Sequence, residues 1–189
     1  MMQPIVKFQG SDENRIPLDT PTIDVIEEDG CHWAVGYPLN KRPVSVQKGD
    51  VVFISRLTHD PKDIYIYGCA IARAHRPGQD EATPADIKLR PWKKKWPLYL
   101  RLDKAEFVDG KMENGVSLYE MMDKLDSDSF VTTQEHAASG IGNTDPHLSV
   151  RQQAAARLSR DGFKWINRRL QAAFNKHGKI AQRILKQIV

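Results

Sequence analysis

Cysteine is almost missing from this chain: Cys31 and Cys69 are the two among 189 residues. Two thiols so placed make neither a disulfide framework nor a metal-ligand motif. Both lie in apolar, strand-like contexts and read as small buried hydrophobes in a reducing cytosol. Long hydrophobic runs are missing too. No stretch reaches the ~20 apolar residues of a membrane span. Met1-Met2-Gln3-Pro4-Ile5-Val6-Lys7 lacks the apolar core of a secretory signal. A cytoplasmic protein with no membrane partner is the expectation. His32, His59, His75, His136, His147 and His177 include no helix-spaced pair, which argues against zinc. No serine or cysteine stands in a nucleophile elbow. Asp86-Ile87-Lys88 has a spacing seen in metal-dependent nucleases, but it lies in a Pro-flanked loop and reads as a chance triplet. No catalytic residue, metal or cofactor is expected.

What is present is ordinary globular composition, 40% apolar and 28% charged, which excludes collagen-like and coiled-coil classes. The length fits one domain, or one domain with a helical appendage. The charge is lopsided. Residues 151–189 hold ten Lys or Arg against Asp161 alone, a net +9, so the whole-chain +4 leaves residues 1–150 at −5. A basic tail of this kind suits a polyanionic partner; the plainer alternative is that it pairs with the acidic front of the same chain.

The most specific feature is Pro91-Trp92-Lys93-Lys94-Lys95-Trp96-Pro97, where two of the four tryptophans flank three lysines. The prolines disfavour regular helix or central strand, so the segment reads as a loop. Flat rings on a cationic loop suit a stacked base beside a phosphate. The competing reading has one tryptophan filling the core and the lysines solvated.

Val51-Val52-Phe53-Ile54-Ser55 and Ile64 to Ala72 are β-branched and aromatic runs that predict an antiparallel hairpin, with Gly68 marking a bulge or close approach. Leu98–Leu102 and Ala105–Val108 predict one kinked strand. Thr83-Pro84 predicts a short capped helix. Ser117 with Glu120 three residues on predicts a capped helix over 118–125. Ser127–Thr133 reads as irregular. Asp145-Pro146 opens a helix expected to run to about Leu158. A further helix from about Asp161 puts Phe163, Ile166, Leu170, Ala173 and Phe174 on one stripe, ended by Gly178, and Ile180 to Ile188 suggests a last amphipathic helical segment. Strands followed by helices predict α+β rather than a doubly wound sheet.

The middle of the chain resembles the PUA-like superfamily, in particular its YTH and EVE branches. Gly49-Asp50-Val51-Val52-Phe53-Ile54-Ser55 looks like the family strand that ends in a serine beside the ligand pocket. Ile66-Tyr67-Gly68-Cys69-Ala70-Ile71-Ala72 looks like the next strand. Trp92 and Trp96 fall where YTH proteins carry paired tryptophans, Leu98–Val108 looks like the strand that closes the barrel, and Ser129-Phe130-Val131-Thr132-Thr133-Gln134 resembles a late polar loop that touches nucleic-acid backbone. The resemblance spans roughly residues 30–137.

It implies a twisted, largely antiparallel PUA-like β-barrel with flanking helices over residues 1–140, and leaves a basic helical extension over 145–189. It implies a binding module that takes one flipped, modified base of DNA or RNA into an aromatic pocket. Trp33, Ser55, Arg56, Trp92, Trp96 and Tyr99 would line that pocket. Lys93, Lys94, Lys95, Thr132, Thr133, Gln134, Arg168 and Arg169 would meet the backbone. Two alternatives stand beside it: an ASCH-like hydrolase of a modified nucleoside or small amide, and a protein-interaction domain with an exposed apolar patch.

Overall fold

The structure is a computed structural model that describes residues 4–9, 24–27, 31–37, 46–59, 62–89, 91–95, 97–151 and 155–181. In chain order its elements are β1 (Pro4–Gln9), β2 (Asp24–Glu27), β3 (Cys31–Tyr37), β4 (Val51–His59), β5 (Lys62–Ala72), α1 (Pro84–Leu89), β6 (Leu98–Val108), β7 (Val116–Ser117), α2 (Leu118–Leu125), α3 (Val131–Ser139), α4 (Pro146–Arg151), β8 (Ala155–Arg157), α5 (Arg160–His177) and β9 (Lys179–Ala181). The protein is α+β. One mixed sheet runs β2-β3-β6-β5-β4-β1-β8, with β7 added beside β5 and β9 beside β6.

The expected hairpin forms. β4 and β5 pair antiparallel from Val51↔Ile71 to His59↔Lys62, with a register shift between Ile54 and Ser55. The kinked strand forms as β6, where Lys104 takes a left-handed φ of 53° and the pairing with β5 slips between Cys69 and Ile71. The barrel does not form. β1 lies parallel to β4, Pro4↔Val51 through Gln9↔Arg56, and takes β8 on its other side. Among the described residues the path therefore ends at β2 and β8 without those two strands meeting, and the sheet stays open. The parallel β1–β4 pair is the exception in an otherwise antiparallel path.

Two apolar clusters flank the sheet. One contains Val52, Ile54, Tyr67, Leu98, Leu100, Leu102 and Phe107. The other joins Val6, Phe53 and Ile66 of the strands to Leu118 and Met121 of α2 and to Ile166, Leu170 and Phe174 of α5. Each large α5 side chain so buried contributes ~1.5–3 kcal/mol of transfer free energy. That burial explains why a helix whose other face is strongly charged is held. Caps fix the helix starts. Ser117 Oγ accepts from Glu120 N at 3.0 Å. Thr83 and Asp86 form a reciprocal box, with Thr83 N donating to Asp86 Oδ2 at 2.8 Å and Asp86 N donating to Thr83 Oγ1 at 3.2 Å.

Several expectations about local structure need correction. Pro91–Lys94 is a single 3-10 turn rather than an open loop. Residues 126–129 form another, and Val131–Ser139 is the helix α3. The helix opened by Pro146 stops at Arg151, and the chain returns to the sheet as β8, because Ala156 fills a place in the second cluster beside Val6. Lys179–Ala181 is a strand on β6 rather than helix; residues 182–189 lie outside the described residues.

Candidate functional site

The region built around the Lys-rich turn starts from β6. In Leu98-Tyr99-Leu100-Arg101-Leu102 every residue is buried, Arg101 included at 4% exposure. A guanidinium taken out of water needs an anion, and Asp80 supplies it. Asp80 is fully buried, and Arg101 Nε donates to its Oδ1. Arg76 N donates to Asp80 Oδ2 at 2.6 Å, and the Arg76 guanidinium reaches Oδ1 at 3.5 Å. His75 Nδ1 stands 3.8 Å from Asp80 Oδ2 and 3.1 Å from the Tyr99 carbonyl oxygen. Backbone bonds lace the same segment to β6: Tyr99 N donates to Asp80 O at 2.8 Å and Ala82 N to Pro97 O at 2.7 Å.

The turn is pinned to this network by its own first lysine. Lys93 is 3% exposed, and its ammonium lies 4.5 Å from the centre of the Tyr99 ring. A largely desolvated cation over a ring contributes up to ~2 kcal/mol. Lys94 and Lys95 are exposed. One lysine therefore anchors the turn and two face outward, a division invisible in a run of three identical residues.

Ser55 and Arg56 follow the β4 register shift and are buried, at 0% and 2% exposure. Burial lowers the Arg56 pKa from the ordinary arginine value, and the neighbouring Tyr67 hydroxyl opposes the shift. Asp60, four residues on from Arg56, lies outside the described residues. So do Trp96 and the side chains of Trp33 and Trp92. Backbone is described for Trp33, paired with Leu102 in β3, and for Trp92 within the 3-10 turn.

The late polar segment is not a loop. Thr132 is exposed, but Thr133 is fully buried at the start of α3. Its hydroxyl donates to Ser127 O at 2.6 Å and accepts from Phe130 N at 3.3 Å, so it serves as a helix cap rather than a backbone contact. Gln134 Nε2 donates to Asp128 at 3.0 Å. Arg168 is exposed on α5. Arg169 instead stacks 3.7 Å over the Trp165 ring and pairs with Glu120 at 3.2 Å.

No protein-family model matches this chain, and no curated protein matches it.

Three further groups among the described residues can be placed. Asp86, the acid of the Asp-x-Lys triplet, is committed to the α1 cap. Burial, then the charge of Glu106, pushes the Cys69 thiol up to about 11. Burial and the carboxylates of Asp63 and Glu113 raise Tyr65. Both shifts move these groups away from the ionised, nucleophilic form at neutral pH. Among the described residues the large exposed hydrophobics are Ile141 and Leu148. Asp80, His75, Arg76 and Arg101 escape sequence reasoning. The signal available was Arg101 itself, a charge inside an otherwise apolar strand, which demands a buried partner.

Proposed function

We propose that this chain is a nucleic-acid-binding module with PUA-like character, which takes a flipped, modified base of DNA or RNA between Trp92 and Trp96. The observation that carries the reading is the anchored turn. Lys93 is buried over Tyr99, Tyr99 is tied to Asp80, and Asp80 is tied to Arg101, so the backbone between the two tryptophans is held while Lys94 and Lys95 point outward. A stacking site needs such preorganisation, because flipping costs a few kcal/mol and stacking returns only ~1–3 kcal/mol per base. A methyl on the base adds ~0.8 kcal/mol of burial. Lys94 and Lys95 contribute phosphate contacts that set affinity without reading sequence. The family resemblance has a serine at the end of this strand read the base edge; here Ser55 and Arg56 stand in mid-strand beside the register shift, and β4 runs on to His59.

The test is a pair of variants. Trp92→Ala and Trp96→Ala should lose discrimination between methylated or hydroxymethylated oligonucleotides and plain ones, while retaining weak, salt-dependent binding. Equal discrimination in both variants and the parent would count against the pocket. The two alternatives are weaker. The Tyr65 and Cys69 shifts run against a phenolate or thiolate nucleophile at those two positions, and among the described residues the exposed large hydrophobics, Ile141 and Leu148, do not make an extended apolar patch.

A further inference from the structure

The outward face of α5 carries Arg160, Lys164, Asn167, Arg168, Gln171 and Asn175, all exposed. The apolar stripe of this helix is already used in the core, through Ile166, Leu170 and Phe174. We infer that the outward face is a second nucleic-acid contact, a phosphate-docking surface set apart from the base-reading turn. The inference rests on the nucleic-acid reading of the chain but adds a different surface to it.

Three observations support it. The first is spacing. Arg160, Lys164 and Arg168 follow one another at four-residue intervals, so each step advances ~6 Å along the helix and the row is ~12 Å long. Phosphates of one duplex strand recur every ~3.4 Å along the axis, so the row faces about three or four of them. The second is charge. From Arg160 to His177 the helix has five Lys or Arg against Asp161 alone. The Lys164–Asp161 pair, at 3.4 Å with both side chains more than half exposed, is weakened by water and salt. Among the described residues no side-chain hydrogen bond or ion pair of Arg160 or Arg168 is seen. Arg160 also sits in the first helical turn, where the helix dipole disfavours a cation. Its position is not explained by helix stability. The third is what accompanies the cations. A membrane-surface helix would flank its lysines with exposed Trp, Phe or Leu. Here the companions are the amides Asn167, Gln171 and Asn175, which hydrogen-bond to phosphate and sugar oxygens. Arg169 is excluded from the row, since it is held by Glu120 and Trp165.

The experiment uses the full chain and a triple variant, Arg160→Gln, Lys164→Gln and Arg168→Gln. The probes are an unmodified 20-base-pair duplex and the corresponding single strand, with affinity measured from 50 to 200 mM salt. Three lost phosphate contacts should flatten the slope of log affinity against log salt by ~2.7 on the duplex and ~2.1 on the single strand. Arg169→Gln should leave the slope in place and lower the melting temperature. A triple variant that melts like the parent and keeps its slope overturns the α5 surface, while the base-reading turn stands. A parent chain that binds neither oligonucleotide overturns both. Binding to anionic lipid vesicles but to no oligonucleotide would also overturn the proposal.

Discussion

Asp80→Asn removes one negative charge from a fully enclosed place and leaves nearly everything else in shape. In the parent the carboxylate accepts from Arg101 Nε, from Arg76 N and from the Arg76 guanidinium, and Arg101 is itself only 5% exposed at its side chain. The amide can still accept one bond, but it cannot neutralise a buried guanidinium. Breaking a buried ion pair by removing one partner costs ~3–5 kcal/mol, because the remaining charge is stranded. For a chain of this length ~1 kcal/mol corresponds to ~2–4 °C. The melting temperature should therefore drop by ~6–20 °C. Urea unfolding followed by circular dichroism gives the free energy directly, with the slope m unchanged if the native state keeps its extent. The paired variant Asp80→Leu with Arg101→Met replaces both charges with apolar groups of similar reach, and should recover most of the loss. Arg76, which is 35% exposed at its side chain, can turn to water. A single-variant cost below ~1 kcal/mol, or a paired variant as unstable as the sum of the two single ones, would refute the reasoning that Asp80 neutralises a dry charge.

Two further predictions concern the sheet. Gly68→Ala would set a methyl 2.6 Å from Phe107 Cε1 and 2.9 Å from the Glu106 carbonyl oxygen, so it should cost ~1–3 kcal/mol in chemical denaturation. Cys69 links stability to alkaline pH. Its folded pKa, pushed up to about 11 by burial, lies above its ordinary value of 9.0. The unfolded thiol therefore ionises first. The associated stability is complete below pH 9 and is lost as the pH rises to about 11, by on the order of 2 kcal/mol. Cys69→Ala should remove that part of the pH dependence, and an unaltered profile would contradict it.

Much of the local structure can be read from the chain because its signals are local. The β-branched runs around Val52 and Ile66 announce β4 and β5. Thr83-Pro84 and the Ser117–Glu120 spacing announce their helix starts, and the 3.6-residue stripe of Ile166, Leu170 and Phe174 announces α5. What escapes depends on distant partners. Pro4–Gln9 pairs parallel with β4 across more than forty residues, and no local pattern encodes a parallel partner. β8 hides in a helix-favouring Gln-Ala-rich stretch, where pairing with Ile5–Lys7 overrides propensity. α3 buries Thr133 alone, so it shows no apolar stripe. The split of Lys93 from Lys94 and Lys95 depends on Tyr99 lying beneath one of them. The site is legible as a composition, tryptophan with lysine, but its support is not, because Asp80 and Arg101 stand 21 residues apart.

The most direct test of the account is a competition titration. The parent chain is bound to a fluorescently labelled single strand at low salt, and matched unlabelled strands with and without one methylated base displace it. The account predicts that the modified strand competes several-fold better, and that the advantage disappears in Trp92→Ala. Equal competition by every strand, unaffected by Trp92, would contradict it.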